Sequence, residues 1–147
     1  MGEITAAAVM GLREKTGLPM MECKKALQEC GGDTDKAVEW LRKQGIKTQS
    51  LRSDRETSCG RLAVFTDPAR GVGAIIELKC ESPPVAGSQD FKDLANEIAK
   101  TLALGPGAAT PADLLAQKSV SHPDRTLGDL KDDLFNRMRE VFDLARI

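Results

Sequence analysis

Aromatic side chains are scarce in this sequence, at 3% of 147 residues, which leaves few platforms for stacking the bases of a single strand. A dominant sign of charge is missing as well. Lys and Arg number 21 against 22 Asp and Glu, a net of −1, so no global field draws the chain toward a polyanion. No apolar run approaches the roughly eighteen residues of a membrane span. The N-terminus also lacks the basic-then-apolar order of a signal peptide. These absences argue against membrane and direct nucleic-acid partners and make the cytoplasm the default compartment. Only one His is present, and none of the four Cys residues forms a C-x-x-C pair, which speaks against a zinc site. Cys23 and Cys30 fall two helical turns apart on one face, too far for a disulfide. Reduced, mostly buried thiols are therefore expected at Cys23, Cys30, Cys59 and Cys80. His122, before Pro123 in a Ser-rich loop, has no partner by spacing and reads as a surface residue. No constellation of nucleophile, base and orienting group emerges, so no enzyme, metal or cofactor is expected.

What is present is a folded composition, with 41% hydrophobic and 29% charged residues, and a dense run of helix punctuation between Leu12 and Gly45. Thr5 is placed to cap a first helix, and Gly17 to close it in the left-handed conformation. Pro19 suits the first turn of a second helix. Cys23, Ala26, Leu27 and Cys30, at i, i+3, i+4 and i+7, form its apolar face. Gly31-Gly32 ends it, Asp33 caps a third helix, and Gly45 is expected to stop that one. Its buried face is Ala37, Val38 and Leu41, with Trp40 beside them. Met20 belongs on the edge of the core face. Met21 is turned about a hundred degrees away, onto the face carrying Lys24, Lys25 and Gln28. Two readings of Met21 stand side by side: an adaptable partner-binding surface, or a side chain folded back over its own module.

Residues 46–60 are polar and aperiodic and read as a linker between a module at 1–45 and a core at 61–147. Leu62 to Thr66 and Val72 to Cys80 read as a hairpin around Asp67-Pro68-Ala69-Arg70-Gly71. Gly71-Val72-Gly73 is a lone G-x-G with no helix behind it, not a phosphate loop. Cys80 to Ala86 carries Pro83-Pro84 and reads as a stiff, extended loop. A helix follows over about 88–104 with Phe91, Leu94, Ala95, Ile98 and Leu102 on its buried face. Thr110 starts a short helix, and Thr126 another that bears Leu127, Leu130, Leu134 and Met138. The fold class is α+β: a three-helix, ubiquitin-associated-like module, then a small antiparallel sheet packed with helices.

The module closely resembles the N-terminal part of bacterial elongation factor Ts. That family typically writes Leu-Arg-x-x-Thr-Gly-x-x-Met-Met-Asp-Cys-Lys-Lys-Ala-Leu, then Gly-Asp, then Leu-Arg or Met-Arg and a Gly. Leu12, Arg13, Thr16, Gly17, Met20, Met21, Cys23, Lys24, Lys25, Ala26, Leu27, Gly32, Asp33, Leu41, Arg42 and Gly45 match that pattern. The resemblance implies a guanine-nucleotide exchange factor for elongation factor Tu, active in translation. It implies that Arg13, Met20, Met21 and Lys24 meet the G domain of Tu, and that residues 82–85 supply the push that loosens the nucleotide. It also implies that 61–147 is the first half of a dimerisation-type core, cut short, and that the ambiguous stretch 141–147 is a strand returning to the hairpin. One departure is sharp. The family carries Thr-Asp-Phe-Val where this chain has Ser82, Pro83, Pro84 and Val85. The family's Asp-Phe pair disturbs the magnesium and phosphate site of Tu, and here both carboxylate and ring are gone.

Two functions follow from the residues and the resemblance. One is an exchange factor acting through differential binding. The other is a non-catalytic protein-binding module with weak or no exchange activity, a reading that Pro83-Pro84 favours.

Overall fold

The computed structural model describes residues 4–147. The chain divides into two compact units, the first ending at Arg52 and the second running Ser53–Ile147. Their secondary structure is α+β.

The first unit is three helices: α1 (Ala6–Thr16), α2 (Met20–Glu29) and α3 (Thr34–Leu51). Each joint follows a capping rule. Thr5 accepts a hydrogen bond from the Ala8 N–H at 3.2 Å, and Gly17, at φ 70°, donates its N–H to the Arg13 carbonyl. Gly31 and Gly32 both take positive φ, which a side chain would resist, and Gly32 N–H closes α2 on the Leu27 carbonyl at 2.8 Å. Asp33 accepts from the Asp35 and Lys36 N–H groups, each at 3.1 Å. The backbone bond from Lys36 holds the Asp33 carboxyl below its ordinary value. Val9, Leu12, Leu18, Cys23, Ala26, Leu27, Ala37 and Leu41 are buried together, with Cys30, Val38 and Trp40 half-buried against them.

Three expectations are corrected here. Gly45 does not stop α3. It lies buried inside the helix, which continues to Leu51. Glycine permits a helix end but does not impose one, and no proline or left-handed residue follows it. Pro19 precedes the second helix at its N-cap position, not within the first turn. The linker over 46–60 is short at both ends, because the first strand already begins at Cys59.

The second unit holds β1 (Cys59–Asp67), β2 (Val72–Cys80), α4 (Pro83–Gly87), α5 (Gln89–Leu104), α6 (Pro111–Leu115), α7 (Leu127–Met138) and β3 (Asp143–Arg146). The sheet order is β1-β2-β3, antiparallel throughout, so the stretch near the C-terminus does return as a strand. β1 and β2 pair in continuous register from Cys59↔Cys80 to Asp67↔Val72. Gly60 is required by close approach: a Cβ there would come within 2.4 Å of the Leu78 carbonyl oxygen. One sheet face packs on α5 through Ala63, Ile76, Leu78 and Cys80 against Phe91, Leu94, Ala95 and Ile98. The other face exposes Leu62, Val64 and Ile75. Ser88, Thr110 and Thr126 cap α5, α6 and α7, the last through a reciprocal pair with Asp129. On α5 the fully buried residue of the last turn is Thr101, with Leu102 only half-buried. Thr101 is acceptable there because its hydroxyl accepts from the Val120 N–H at 3.2 Å.

The extended loop expected over Cys80 to Ala86 is the clearest correction, since from Pro83 it is a helical turn, α4. Prolines at its first two positions have no N–H that a helix start would use. Ser82, preceding a proline, takes the extended backbone that this position demands, at φ −132° and ψ 151°. Ala86 N–H reaches the Ser82 carbonyl at 3.2 Å and closes the turn. A double proline therefore starts this helix as readily as it would have prevented one further along.

Candidate functional site

The residues singled out in the sequence fall on two separate surfaces, one in each unit. On the module, the outer face of α2 carries Met21, Lys24, Lys25 and Gln28 around an open depression of about 560 Å³. Met21 is 74% exposed and belongs to no buried cluster, so it is not folded back over its own module. Met20 is 39% exposed and packs outside the buried cluster, a step further out than the core edge expected of it. Lys24 and Lys25 form no ion pair within the described residues, whereas Lys15 pairs with Asp35 at 3.2 Å and Lys36 with Asp33 at 3.4 Å. The result is a flexible thioether beside two ammonium groups, in a depression that Glu22 and Glu29 also line. Such a surface adapts to an apolar partner with a charged rim. Arg13 is exposed on α1, and its carbonyl holds the Gly17 cap.

In the second unit the candidate turn is Ser82-Pro83-Pro84-Val85. The two prolines are exposed, while Val85 and Ala86 tuck toward the main core, so only part of the expected contact set faces outward. Cys80 Sγ donates to the Ser82 carbonyl at 3.4 Å from inside the core, and burial pushes the Cys80 thiol up from its ordinary value.

Two residues at this turn were not legible beforehand. Glu140 accepts from the Ser82 N–H at 3.1 Å through Oε2 and from the Ser82 hydroxyl through Oε1. Glu81 in turn accepts from the Val141 N–H at 2.8 Å and pairs with Arg55 at 3.3 Å. Ser82 and Glu140 stand 58 positions apart. Nothing local marks an acid at that distance as the partner of a serine. The only hint lies in Glu81 itself, an acid beside a turn that has lost two N–H donors to proline.

A second depression, of about 210 Å³, lies in the second unit between α5 and α7 and is lined by Asp90, Asp93, Glu97, His122 and Arg137 over Leu94. Its charges are engaged internally. Arg137 pairs with Asp90 at 3.2 Å. Glu97 accepts from Ser119 Oγ, from Ser121 N at 2.9 Å and from Ser121 Oγ at 2.7 Å, so it fastens the loop ahead of His122. His122 is exposed, as expected of a surface residue. Among the described residues no three His, Cys, Asp or Glu side chains are grouped to hold a metal ion. All four cysteines are free, and no helix of the described residues is long and apolar enough to cross a membrane.

With this geometry in place, comparison with known proteins adds lineage. Residues 2–48 match the family model described as elongation factor Ts, mitochondrial, N-terminal. The chain is 40% identical, over its whole length, to an elongation factor Ts of Chlorobaculum tepidum, of which it covers 51%. It is 39% identical, over 97% of its length, to one from Gloeothece citriformis, of which it covers 50%. It is 38% identical, over 99% of its length, to one from Oleidesulfovibrio alaskensis, of which it covers 75%. The chain thus spans about half the length of the first two of these relatives.

Proposed function

The chain belongs to the elongation factor Ts family, and from that premise we propose that it binds the G domain of elongation factor Tu and promotes release of GDP. The observation that carries this reading is the exposed Met21 face of α2, which also bears Lys24 and Lys25, inside the segment that matches the family model. The action is differential binding. A protein that prefers the nucleotide-free state of Tu lowers the affinity of Tu for GDP by the same factor, without a nucleophile or cofactor of its own. Arg13, Met20, Met21 and Lys24 form the contact on the module. Ser82, Pro83, Pro84 and Val85 form the one in the second unit.

A specific observation favours a second reading, binding without efficient exchange. Pro83 and Pro84 offer neither a charge nor a large ring to compete with the magnesium and phosphate contacts of Tu. Release of labelled GDP from purified elongation factor Tu, with and without the chain, separates the two. Measurable binding with slow release is expected, and replacing Pro83 and Pro84 by Asp and Phe should speed release on the order of tenfold, as an aromatic hot spot of about 2 kcal/mol implies. Full exchange by the unaltered chain would transfer the activity to the module and other loops. Binding with no gain from the double replacement would leave a binding module.

A further inference from the structure

We propose that Glu140, acting through Ser82 and assisted by Glu81, is the positioning residue that fixes the exposed Pro83-Pro84 turn for its partner; this rests on the reading of that turn as a contact with elongation factor Tu. Ser82 stands where a helix-capping hydroxyl would normally accept from a backbone N–H in the first turn. It makes no such bond. Both of its donors go to Glu140 instead, the N–H at 3.1 Å and the hydroxyl to the other carboxylate oxygen. The grip is reciprocal, because Glu81, one residue before Ser82, takes the N–H of Val141, one residue after Glu140, at 2.8 Å. The backbone at the end of α7 is shaped to allow this. Arg139 is the only non-glycine residue with positive φ among those described, at 60°, and turns the chain out of the helix immediately before Glu140.

A merely structural clamp would hold something inside the core. This one holds a turn whose two leading residues face solvent. Its effect is to remove the freedom that an exposed turn would otherwise lose on docking, so affinity rises without any contact from Glu140 itself.

The test uses the full chain and purified, nucleotide-free elongation factor Tu, with affinity, amide hydrogen exchange and the melting midpoint read together. Glu140→Ala is expected to raise the exchange rate of the Ser82 and Ala86 amides about tenfold, a local opening. It should weaken binding about tenfold while moving the melting midpoint little. Glu140→Gln, which keeps one acceptor, should recover most of the affinity. In a Pro84→Ala background the Glu140→Ala effect should largely vanish, because two residues acting through one contact do not add. If Glu140→Ala fails to fold, Ser82→Ala removes only the hydroxyl half of the clamp and should give a smaller change in the same direction. A loosened turn with unchanged affinity overturns the proposal, as does full additivity with Pro84→Ala. If the unaltered chain does not bind Tu, the proposed function falls and this proposal falls with it. If it binds and Glu140→Ala binds equally well, only the present inference fails.

Discussion

The two units are held together differently. The buried cluster of the module contains no aromatic ring; it is leucines, alanines, a valine and Cys23, with Trp40 only half-buried at its edge. The second unit buries Phe91, Phe135 and Phe142, and the rings of Phe91 and Phe142 stand 5.5 Å apart at 57°, a tilted aromatic pair. The module depends on caps between neighbours in sequence. The second unit depends on strand pairing and on carboxylates reaching across the chain, from Glu140 to Ser82 and from Glu77 to Arg146 at 2.6 Å. A small helical module with a thin core keeps its outer face available for a partner at little cost. A sheet-based core fixes an exposed turn by long-range bonds.

The largest effect that would sharpen this contrast is Phe91→Ala, expected to cost about 3–5 kcal/mol as a buried aromatic deletion. The single tryptophan lies in the module, so its fluorescence reports that unit alone while circular dichroism reports both. Phe91→Ala should lower the dichroism transition and leave the fluorescence transition where it was. A common shift of both signals would show that the units melt as one. The mirror experiment is Leu27→Ala, with a cost of about 2–5 kcal/mol seen in Trp40 fluorescence. Next in size is Gly60→Ala, whose Cβ meets backbone rather than a movable side chain; about 1–3 kcal/mol should be lost from the second unit by denaturant titration. Met21→Ala should change stability by no more than about 0.5 kcal/mol and yet weaken binding to Tu. Loss of folding comparable to Leu27→Ala would show that the face is misassigned.

The smallest effect is a pH limb. Burial alone would raise the Glu97 carboxyl, but the bonds from Ser119 and Ser121 prevail and hold it below its ordinary 4.5. A depressed carboxyl stabilises the fold fully above its unfolded value and loses that contribution as pH falls through the folded one. Acid titration of stability below pH 4.5 should therefore be steeper in the natural chain than in Glu97→Gln. Equal slopes would place the acid limb elsewhere.

Legibility in the sequence followed the same division. Thr5, Gly17, Gly32 and Asp33 act on residues two to five positions away, so local rules located these four caps of the module. Gly45 misled because glycine allows a stop and does not compel one. The face of Met21 followed from a hundred-degree step, and its exposure rules out a side chain folded back over its own module. Pro83-Pro84 misled for a deeper reason. Whether a proline pair begins a helix or forbids one depends on what lies before it, and Ser82 is set by an acid 58 positions downstream. The strand alternation places Ile75 on the wetter face of β2, where it is exposed, but it left Leu62 and Val64 without assignment, and they lie on the same open side of the sheet.

The continuation of α3 to Leu51 has a consequence for affinity that neither surface has alone. With β1 beginning at Cys59, only Arg52 to Ser58 remains between helix and strand. At roughly 3.4 Å per residue, such a tether reaches no more than about 25 Å. For the two-surface contact proposed above, a tether this short would present the second surface at an effective concentration on the order of millimolar, so that two individually weak contacts would multiply. Lengthening it with a flexible insert would leave each contact intact and still weaken the whole, roughly as the three-halves power of its length.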